Sequence, residues 1–407
     1  MTARLPFDDL GALPPPDEEA RAHGERVLAL IRSSIDRAGG SITFADYMNL
    51  ALHAPGLGYY SAGSTKFGAR GDFVTAPEIS PLFGRCLATQ VEEVLLALGG
   101  GDVLEIGAGT GTLACELLAE LERRGVLATR YFILETSADL RARQAALFAE
   151  RIPRLANRIE WLDQLPERGF CGVMFANELL DAMPVHRLVL DSESGLSEMR
   201  VGWRGDRFGW GAAAPEDDRL AVRMEAIFAV LGRSSFRPGY CFELNLAMES
   251  WMSAAAATLE QGALLLIDYG YPRREYYHPE RGAGTLMCHY RHRAHDDPLI
   301  LPGLQDITCH IDFTRLAEMG AEVGDAHGLR LAGYTTQAWF LFGCGLQEFV
   351  GAQLQEAGDA ERARLSAQVQ RLTLPGEMGA KFKVIAWSRQ LDISLRGFSM
   401  RDERCGL

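Results

Sequence analysis

The sequence lacks long apolar runs, dense basic stretches and closely paired cysteines. Its apolar segments, such as residues 263–267, are the size of single strands, far below the roughly 18 residues that cross a bilayer. The 407 residues carry a net charge of −13, which repels nucleic-acid phosphates and anionic lipid surfaces. We therefore expect a protein that neither binds nucleic acid nor inserts into a membrane.

The start of the chain shows no import or secretion signal. It is acidic and contains three consecutive prolines, Pro14 to Pro16, where a signal peptide would have a basic segment and an apolar core. The eight cysteines form no CxxC pair, which is typical of reduced, mostly buried thiols. These features predict a cytoplasmic protein without a cysteine-based metal or redox site.

The spacing of apolar residues from position 102 onward predicts alternating strands and helices. Such alternation is typical of a mostly parallel, doubly wound α/β sheet. The predicted strands are residues 103–106, 131–134, 159–162, 173–176 and 264–267, with apolar segments 329–342 and 382–387 supplying the last ones. The apolar residues 339–342 are assigned to a core strand or, alternatively, to a contact between two copies of the chain.

Composition divides the chain further. The predicted parts are a flexible acidic arm (1–23), helices and a glycine-rich loop (24–95), the α/β core (96–190, 246–271 and 328–407) and two insertions (191–245 and 272–327). In the second of these parts, residues 24–95, apolar spacing predicts helices over residues 24–38 and 44–52.

A glycine-rich turn links the first predicted strand to its helix. The segment runs from Glu105 through Gly107 and Gly109 to Gly111, with the pattern E-x-G-x-G-x-G. Glycines allow the backbone to approach a ligand closely, and the helix that follows offers free N–H groups. A dinucleotide fingerprint would have its third glycine at Thr112 instead. The pattern favours the first motif of class I methyltransferases, which wraps the methionine part of S-adenosylmethionine.

The next two strands supply further cofactor candidates. Glu135 ends the second predicted strand, where a carboxylate can accept hydrogen bonds from both ribose hydroxyls. Leu162 ends the third strand, where an adenine is expected. A surface glutamate after an ordinary glycine turn is the alternative interpretation.

The fourth predicted strand ends in candidates for the chemistry. Asn177, Glu178 and Asp181 follow it at the sheet edge that faces the cofactor's methyl group, and Asn177 is also a candidate cofactor contact. If the acceptor is an arginine, its protonated guanidinium needs a bidentate carboxylate for orientation. The alternative is that these acids cap the next helix. Asp268 ends the following strand and is predicted to line the same pocket.

Two other chemistries are disfavoured. His289, His292 and His295 recur every third residue, but arginines interleave and no cysteine completes a ligand set, so we predict no metal site. The G-x-S-x-G elbow of serine hydrolases is also missing.

At these residues the sequence resembles the MidA-like family of methyltransferases, whose mitochondrial members methylate an arginine of a respiratory complex I subunit. The matching segments lie in the same order along nearly the whole chain: PGLGYY (55–60), GDFVTAPEIS (71–80), EIGAGTG (105–111), ANELLDAMP (176–184), IDYG (267–270), GTL (284–286), DITCHIDF (306–313) and GEMGAKFKV (376–384).

The resemblance implies a class I methyltransferase fold with a helical N-terminal cap, and S-adenosylmethionine as methyl donor. It also implies that Gly71, Asp72, Thr75 and Glu78 close over the cofactor or substrate. It suggests arginine in a protein substrate, such as a respiratory complex subunit. The alternatives are a small-molecule methyltransferase and a cofactor-binding assembly factor without turnover. An NAD-dependent enzyme is the least favoured hypothesis.

Overall fold

The computed structural model describes residues 7, 10–11, 13–62, 74–191 and 195–407. The first elements form a helical region: α1 (Glu18–Arg37), β1 (Ser41–Thr43), α2 (Phe44–His53), α3 (Ala76–Ile79) and α4 (Pro81–Leu98). Helix α1 begins six residues earlier than predicted, inside the segment expected to be a flexible arm. Asp17 explains this start because its side chain accepts a hydrogen bond from the Ala20 N–H at 2.9 Å.

The alternating α/β segment follows the predicted order closely. It comprises β2 (Asp102–Ile106), α5 (Thr112–Arg124), β3 (Tyr131–Leu134), α6 (Ala138–Arg151), β4 (Ile159–Leu162) and β5 (Phe170–Asn177). Side chains on both faces of β2, β3 and most of β5 are buried, as expected for a parallel sheet covered by helices on both sides, whereas Glu160 on the edge strand β4 is exposed.

The next segment forms an antiparallel sheet with a helix. Its elements are β6 (His186–Val189), β7 (Ser197–Arg204), β8 (Arg207–Ala213), α7 (Asp218–Leu231) and β9 (Cys241–Leu244). The strand order is β1-β7-β6-β9, and β8 pairs with β7. Because β1 joins this sheet, the N-terminal helical region is tied to the segment that was predicted as an insertion.

The chain then returns to the central sheet and leaves it again. The elements are α8 (Ala247–Thr258), β10 (Leu259–Tyr271), α9 (Arg273–Tyr276), β11 (Met287–Tyr290), β12 (Arg293–His295), β13 (Asp306–Thr308) and β14 (Ile311–Asp312). Strands β12, β11 and β13 form a small antiparallel sheet in that order.

The last elements are α10 (Phe313–His327), β15 (Arg330–Thr336), α11 (Gln337–Gly343), α12 (Leu346–Glu356), α13 (Asp359–Thr373), α14 (Met378–Lys381) and β16 (Phe382–Arg389). The prediction of a strand for residues 339–342 is wrong, because they belong to α11. Thr336 ends β15 and its side chain accepts a hydrogen bond from the Trp339 N–H at 3.5 Å, which starts the helix. Phe340 and Leu341 are nevertheless buried in the core, as the first of the two interpretations proposed.

The central sheet has the strand order β15-β16-β10-β5-β2-β3-β4, and β14 pairs with β10. Strand β16 runs antiparallel to both of its neighbours, whereas β10, β5, β2, β3 and β4 are mutually parallel. The strand order reverses between β2 and β5. Ligands of open α/β sheets bind at such a switch point, outside the carboxyl ends of the strands.

Candidate active site

A cavity of about 670 Å³ lies at the carboxyl ends of β2, β5 and β10. Its wall includes the turn after β2, the ends of β3 and β5, residues of the N-terminal helical region and the small β11–β13 sheet. The volume falls within the range of small-ligand and cofactor sites. We call this space the active-site cavity.

The glycine turn forms one wall of this cavity. Gly107, Gly109 and Gly111 have φ angles of 74°, 53° and 83°, a left-handed region that favours glycine. A Cβ atom on Gly107 would lie 2.9 Å from Leu179 Cδ1, so the turn packs directly against the segment after β5. Gly111 precedes α5, whose first N–H groups have no partner within the helix. The turn can therefore hold a polar group at close range.

Two predicted acids lie below and beside the turn. Glu105 is 2% exposed, and its Oε2 accepts a hydrogen bond from the Tyr131 hydroxyl at 2.6 Å. Burial raises the pKa of Glu105 to about 7. Glu135 directly follows β3 at the cavity wall, and its Oε1 accepts a hydrogen bond from the Ser137 N–H at 2.9 Å. Burial also raises the pKa of Glu135.

Gln144 on α6 connects the turn to Glu135, and sequence reasoning missed it. Its Nε2 donates to the Gly109 carbonyl oxygen at 2.8 Å and reaches Glu135 Oε2 at 3.5 Å. Its Oε1 accepts a hydrogen bond from Trp161 Nε1 at 2.7 Å. Leu162, the predicted adenine contact, does not line the cavity; its side chain packs on the apolar cluster beneath the sheet.

Asn177 and Glu178 enter the cavity from the end of β5. Glu178 has a φ of 52°, a strained conformation for a residue with a side chain, and such strain is concentrated at functional sites. Its Oε1 accepts hydrogen bonds from Asn177 Nδ2 at 3.1 Å and from the Ala76 N–H at 3.4 Å. Burial, followed by repulsion from Asp181, raises the pKa of Glu178 to about 8.

Asp181 and Asp268 complete a group of buried acids. The Tyr269 hydroxyl donates a hydrogen bond to Asp181 Oδ2, while Asp181 Oδ1 is buried without a partner among the described residues. Burial raises the pKa of Asp181 to about 6. Asp268 does not line the cavity: its Oδ2 accepts a hydrogen bond from the Leu180 N–H at 2.9 Å, which fixes the turn after β5. Asp268 therefore stabilises the segment that carries Asp181 without lining the cavity itself.

The loop before α3 is described only in part. Thr75 and Glu78 line the cavity, and the Thr75 N–H donates to Glu78 Oε2 at 3.4 Å. Gly71 and Asp72, which were predicted to close over the same space, lie outside the described residues.

The three histidines of the β11–β12 segment do not converge. His289 lines the cavity, whereas His292 lies in the turn between the strands with a φ of 61°. His295 pairs with Cys288 across the hairpin. In the part of the chain that the structure describes, no three His, Cys, Asp or Glu side chains form a group that could hold a metal ion.

The cavity wall also includes polar residues that sequence reasoning did not select, among them His53, Tyr60, Arg281, Asp306 and His310. The Tyr60 hydroxyl donates to Asp306 Oδ1 at 2.7 Å, and the rings of His53 and Tyr60 stack with centroids 5.6 Å apart. The only sequence signal was that most of them fall in segments shared with the resembled family. Asp306 thus adds a further carboxyl to the cavity wall, which also includes Glu78, Glu105, Glu135, Glu178 and Asp181.

Comparison with known proteins identifies the cofactor. The model of a family described as S-adenosyl-L-methionine-dependent methyltransferases matches residues 86–335. Two crystal structures from Burkholderia thailandensis, one bound to S-adenosyl-homocysteine, are 42% identical and have TM-scores of 0.90 and 0.87. Both cover 97% of this chain and 100% of their own. The predicted class I fold and the predicted methyl donor are confirmed.

Curated relatives carry a more specific name. "Protein arginine methyltransferase NDUFAF7, mitochondrial" of Danio rerio is 28% identical over 85% of this chain and 83% of its own length. The Mus musculus protein of the same name is 28% identical over 86% of this chain and 81% of its own length. The predicted resemblance is thereby confirmed.

These names correct one prediction. The cytoplasmic location is contradicted, because these relatives are named as mitochondrial proteins. The absence of a recognisable import signal was a weak guide, since transit peptides are defined by composition rather than by a fixed motif.

None of the helices in the described part of the chain combines the length and apolar character that a bilayer crossing requires. The family model covers more than half of the chain, and the Burkholderia structures share its fold over nearly its full length. The protein belongs to a family of S-adenosyl-L-methionine-dependent methyltransferases.

Proposed function

We propose that this methyltransferase transfers a methyl group to a guanidinium nitrogen of arginine in a protein substrate. One observation carries the proposal: three carboxyl groups, those of Glu178, Asp181 and Asp306, share one cavity with the glycine turn. A guanidinium is a planar cation with five donors, and carboxylates recognise it best. The names of the curated relatives agree with this assignment.

The cofactor fits the residues around the glycine turn. A Cβ on Gly107 would collide with Leu179, so the turn needs glycine there, and the start of α5 offers N–H groups to a carboxylate. We propose that Gly107, Gly109 and Gly111 hold the methionine part and that Glu135 accepts the ribose hydroxyls. Glu105, which is bonded to Tyr131, would support the turn from below. When bound, S-adenosylmethionine supplies an electrophilic methyl group on a sulfonium.

The acids after β5 would position the acceptor. Glu178 can accept two N–H groups of a guanidinium and direct its third nitrogen towards the methyl group, which supplies most of the rate enhancement in an in-line displacement. One proton must leave the guanidinium as the new N–C bond forms. Glu178 and Asp181, whose pKa values are raised to about 8 and about 6, are suited to accept it.

The direct test uses the full-length protein with methyl-tritiated S-adenosylmethionine. The acceptors are an extract of cells that lack this protein and, separately, free arginine. We expect label in one or a few proteins and, by mass spectrometry, on arginine. Label on lysine or another residue, label only on free arginine, or no label at all would contradict the proposal.

The role of Glu135 predicts a change in cofactor affinity. Glu135→Gln removes the charge that strengthens hydrogen bonds to the ribose hydroxyls. We expect the Kd for S-adenosylmethionine, measured by calorimetry, to rise about tenfold or more. The matched control is Glu160→Gln on the neighbouring β4, whose side chain is exposed. An unchanged Kd in Glu135→Gln would remove Glu135 from the proposed site.

The acids also predict a pH profile. The pKa values of Glu178 and Asp181 are about 8 and about 6, so a larger fraction of these side chains is ionised as the pH rises. An arginine substrate stays protonated over this range and should therefore bind more ionised carboxylate at higher pH. We expect kcat/KM to increase from pH 6 to about pH 8.5 and then level off. Glu105 also titrates in this range, with a pKa of about 7. Measuring the affinity for the cofactor over the same pH range separates any effect of Glu105 from that of Glu178 and Asp181. A flat profile would contradict this assignment.

A further inference from the structure

Among the residues that the structure describes, the active-site cavity contains one cation, Arg281, without a carboxylate partner. Arg281 lines the cavity and is half-buried, with its guanidinium carbon 3.9 Å from the centroid of the Tyr271 ring. No carboxylate of the described residues lies within 4.0 Å of it. By contrast, nearby Arg273 makes two hydrogen bonds of 2.7 and 2.6 Å to Glu318. An unpaired, partly desolvated guanidinium in a cavity is a ready binding site for an anion.

His310 lies beside this cation. Its ring contacts those of Tyr269 and Tyr271, both at 5.2 Å between centroids. Its Nδ1 is buried and has no hydrogen-bond partner within the described ranges. Burial, together with Arg281 and Lys383, lowers the pKa of His310 to about 4, so the ring is neutral at physiological pH. A neutral imidazole can donate one hydrogen bond to a bound oxygen without adding a charge.

The cation and the acids occupy different parts of the cavity. The Tyr269 hydroxyl bonds to Asp181, and the Tyr269 ring then separates that acid from His310. Tyr271, which carries Arg281 on its face, lies two residues further along β10. Strand β10 is the second strand from β2, which carries the glycine turn. The carboxyl end of β10, where Tyr271 lies, is therefore also about 10 Å from β2. The anion site therefore lies on the β10 side of Glu178 and Asp181, which follow β5, and away from the glycine turn.

We propose that Arg281 and His310 form an anion subsite that binds a carboxylate of the protein substrate, so that the enzyme selects arginines with an acidic residue close by in the chain. This inference rests on the proposed arginine specificity. The acids would hold the target guanidinium, and Arg281 would hold an opposite charge a few residues away. Two sites of opposite sign fix the orientation of a bound segment and disfavour segments with the reverse order.

The experiment uses short synthetic peptides with one central arginine. A glutamate or a glutamine is placed at each position within about five residues of it, a reach that matches an extended segment across the cavity. All peptides are amidated at the C-terminus, and one set with a free carboxylate tests whether the chain end is bound instead. We expect glutamate at one or two positions to raise kcat/KM about tenfold or more over glutamine.

The variants assign this preference to the subsite. Arg281→Gln is expected to remove the advantage of glutamate, and Arg281→Lys to retain part of it, because lysine keeps the charge but not the fork. Arg274→Gln is the matched control: Arg274 is exposed and does not line the cavity. Melting temperatures verify that the variants fold. If the advantage of glutamate is absent in the native enzyme or survives Arg281→Gln, the subsite is overturned, while arginine methylation stands. Preference for the free C-terminal carboxylate alone would overturn selection of an acidic residue.

A separate binding measurement tests the anion subsite even if the proposed arginine methylation is not observed. If no arginine peptide is methylated, the same peptides with citrulline in place of arginine are bound to the S-adenosyl-homocysteine complex and followed by fluorescence anisotropy. Tighter binding of glutamate peptides that is lost in Arg281→Gln would support the subsite without arginine specificity. Equal binding of glutamate and glutamine peptides would overturn it.

Discussion

Glu178→Gln is expected to lower the rate of methyl transfer by about 10²- to 10³-fold while S-adenosylmethionine still binds. Glutamine keeps the shape of the side chain but cannot neutralise a guanidinium or take its proton. The Asn177 and Ala76 hydrogen bonds to Oε1 can be kept by the amide oxygen, so the backbone at this strained position has no reason to move. Single-turnover rates and calorimetric binding of the cofactor measure the two effects separately.

Glu178→Gln is expected to lower activity but to raise the stability of the folded protein at high pH. The melting temperature therefore serves as the folding control for this variant. The pKa of Glu178 is about 8 in the folded protein against 4.5 for the ordinary group, so the folded state binds more protons between these values. Stability is therefore lost as the pH rises from about 4.5 to about 8. Glutamine does not ionise, so the variant should melt at a higher temperature than the native protein at pH 8.5. A lower melting temperature would indicate damage, and any loss of activity would then say nothing about charge.

Glu178→Gln also separates catalysis from assembly. If cells that carry only this variant keep the phenotype of the native protein, methyl transfer is not what the cell requires. A protein that acts by binding alone would then be the better description. If the phenotype is lost while the variant is present at normal levels, turnover is required.

Gly107→Val is expected to weaken S-adenosylmethionine binding by about 100-fold or more. The backbone of Gly107 has a φ of 74°, which costs a residue with a side chain about 1–2 kcal/mol, and a β-branched one more. Its Cβ would also lie 2.9 Å from Leu179 Cδ1, so the side chain would push either the turn or the segment that carries Glu178. Calorimetry with S-adenosyl-homocysteine measures the loss without turnover.

The chain offers a matched control for this substitution. Gly125 has the same φ of 74° and would meet nothing within 4 Å if it carried a Cβ. Gly125→Val therefore carries the same backbone strain, at the end of α5 and outside the cavity. Both variants should lose melting temperature, and only Gly107→Val should lose the ligand. Equal affinities in the two variants would show that the turn does not contact the cofactor.

Local patterns were enough to find most of the core. Strands β3 and β4 have the bounds that alternating apolar blocks predicted, and the glycine turn follows β2 as expected. A short apolar run was a poor guide where both conformations suited it: residues 339–342 are helical because Thr336 caps them, which periodicity over four residues cannot reveal. The start of α1 was missed because the acidic residues after Asp17 were interpreted as disordered, although acids suit a helix N-terminus.

The sequence by itself determined that an acid-rich segment and a glycine turn meet, because the carboxyl ends of parallel strands lie at one edge of a sheet. The tertiary structure alone decided what faces them. Tyr60 and Asp306 are 246 positions apart and come together only because the N-terminal helices and the β11–β13 sheet close over the same cavity. Arg281 is one of many arginines in the sequence, and nothing in its neighbours distinguishes it. That no described carboxylate lies within 4.0 Å of it is a property of long-range packing, which local propensity does not encode.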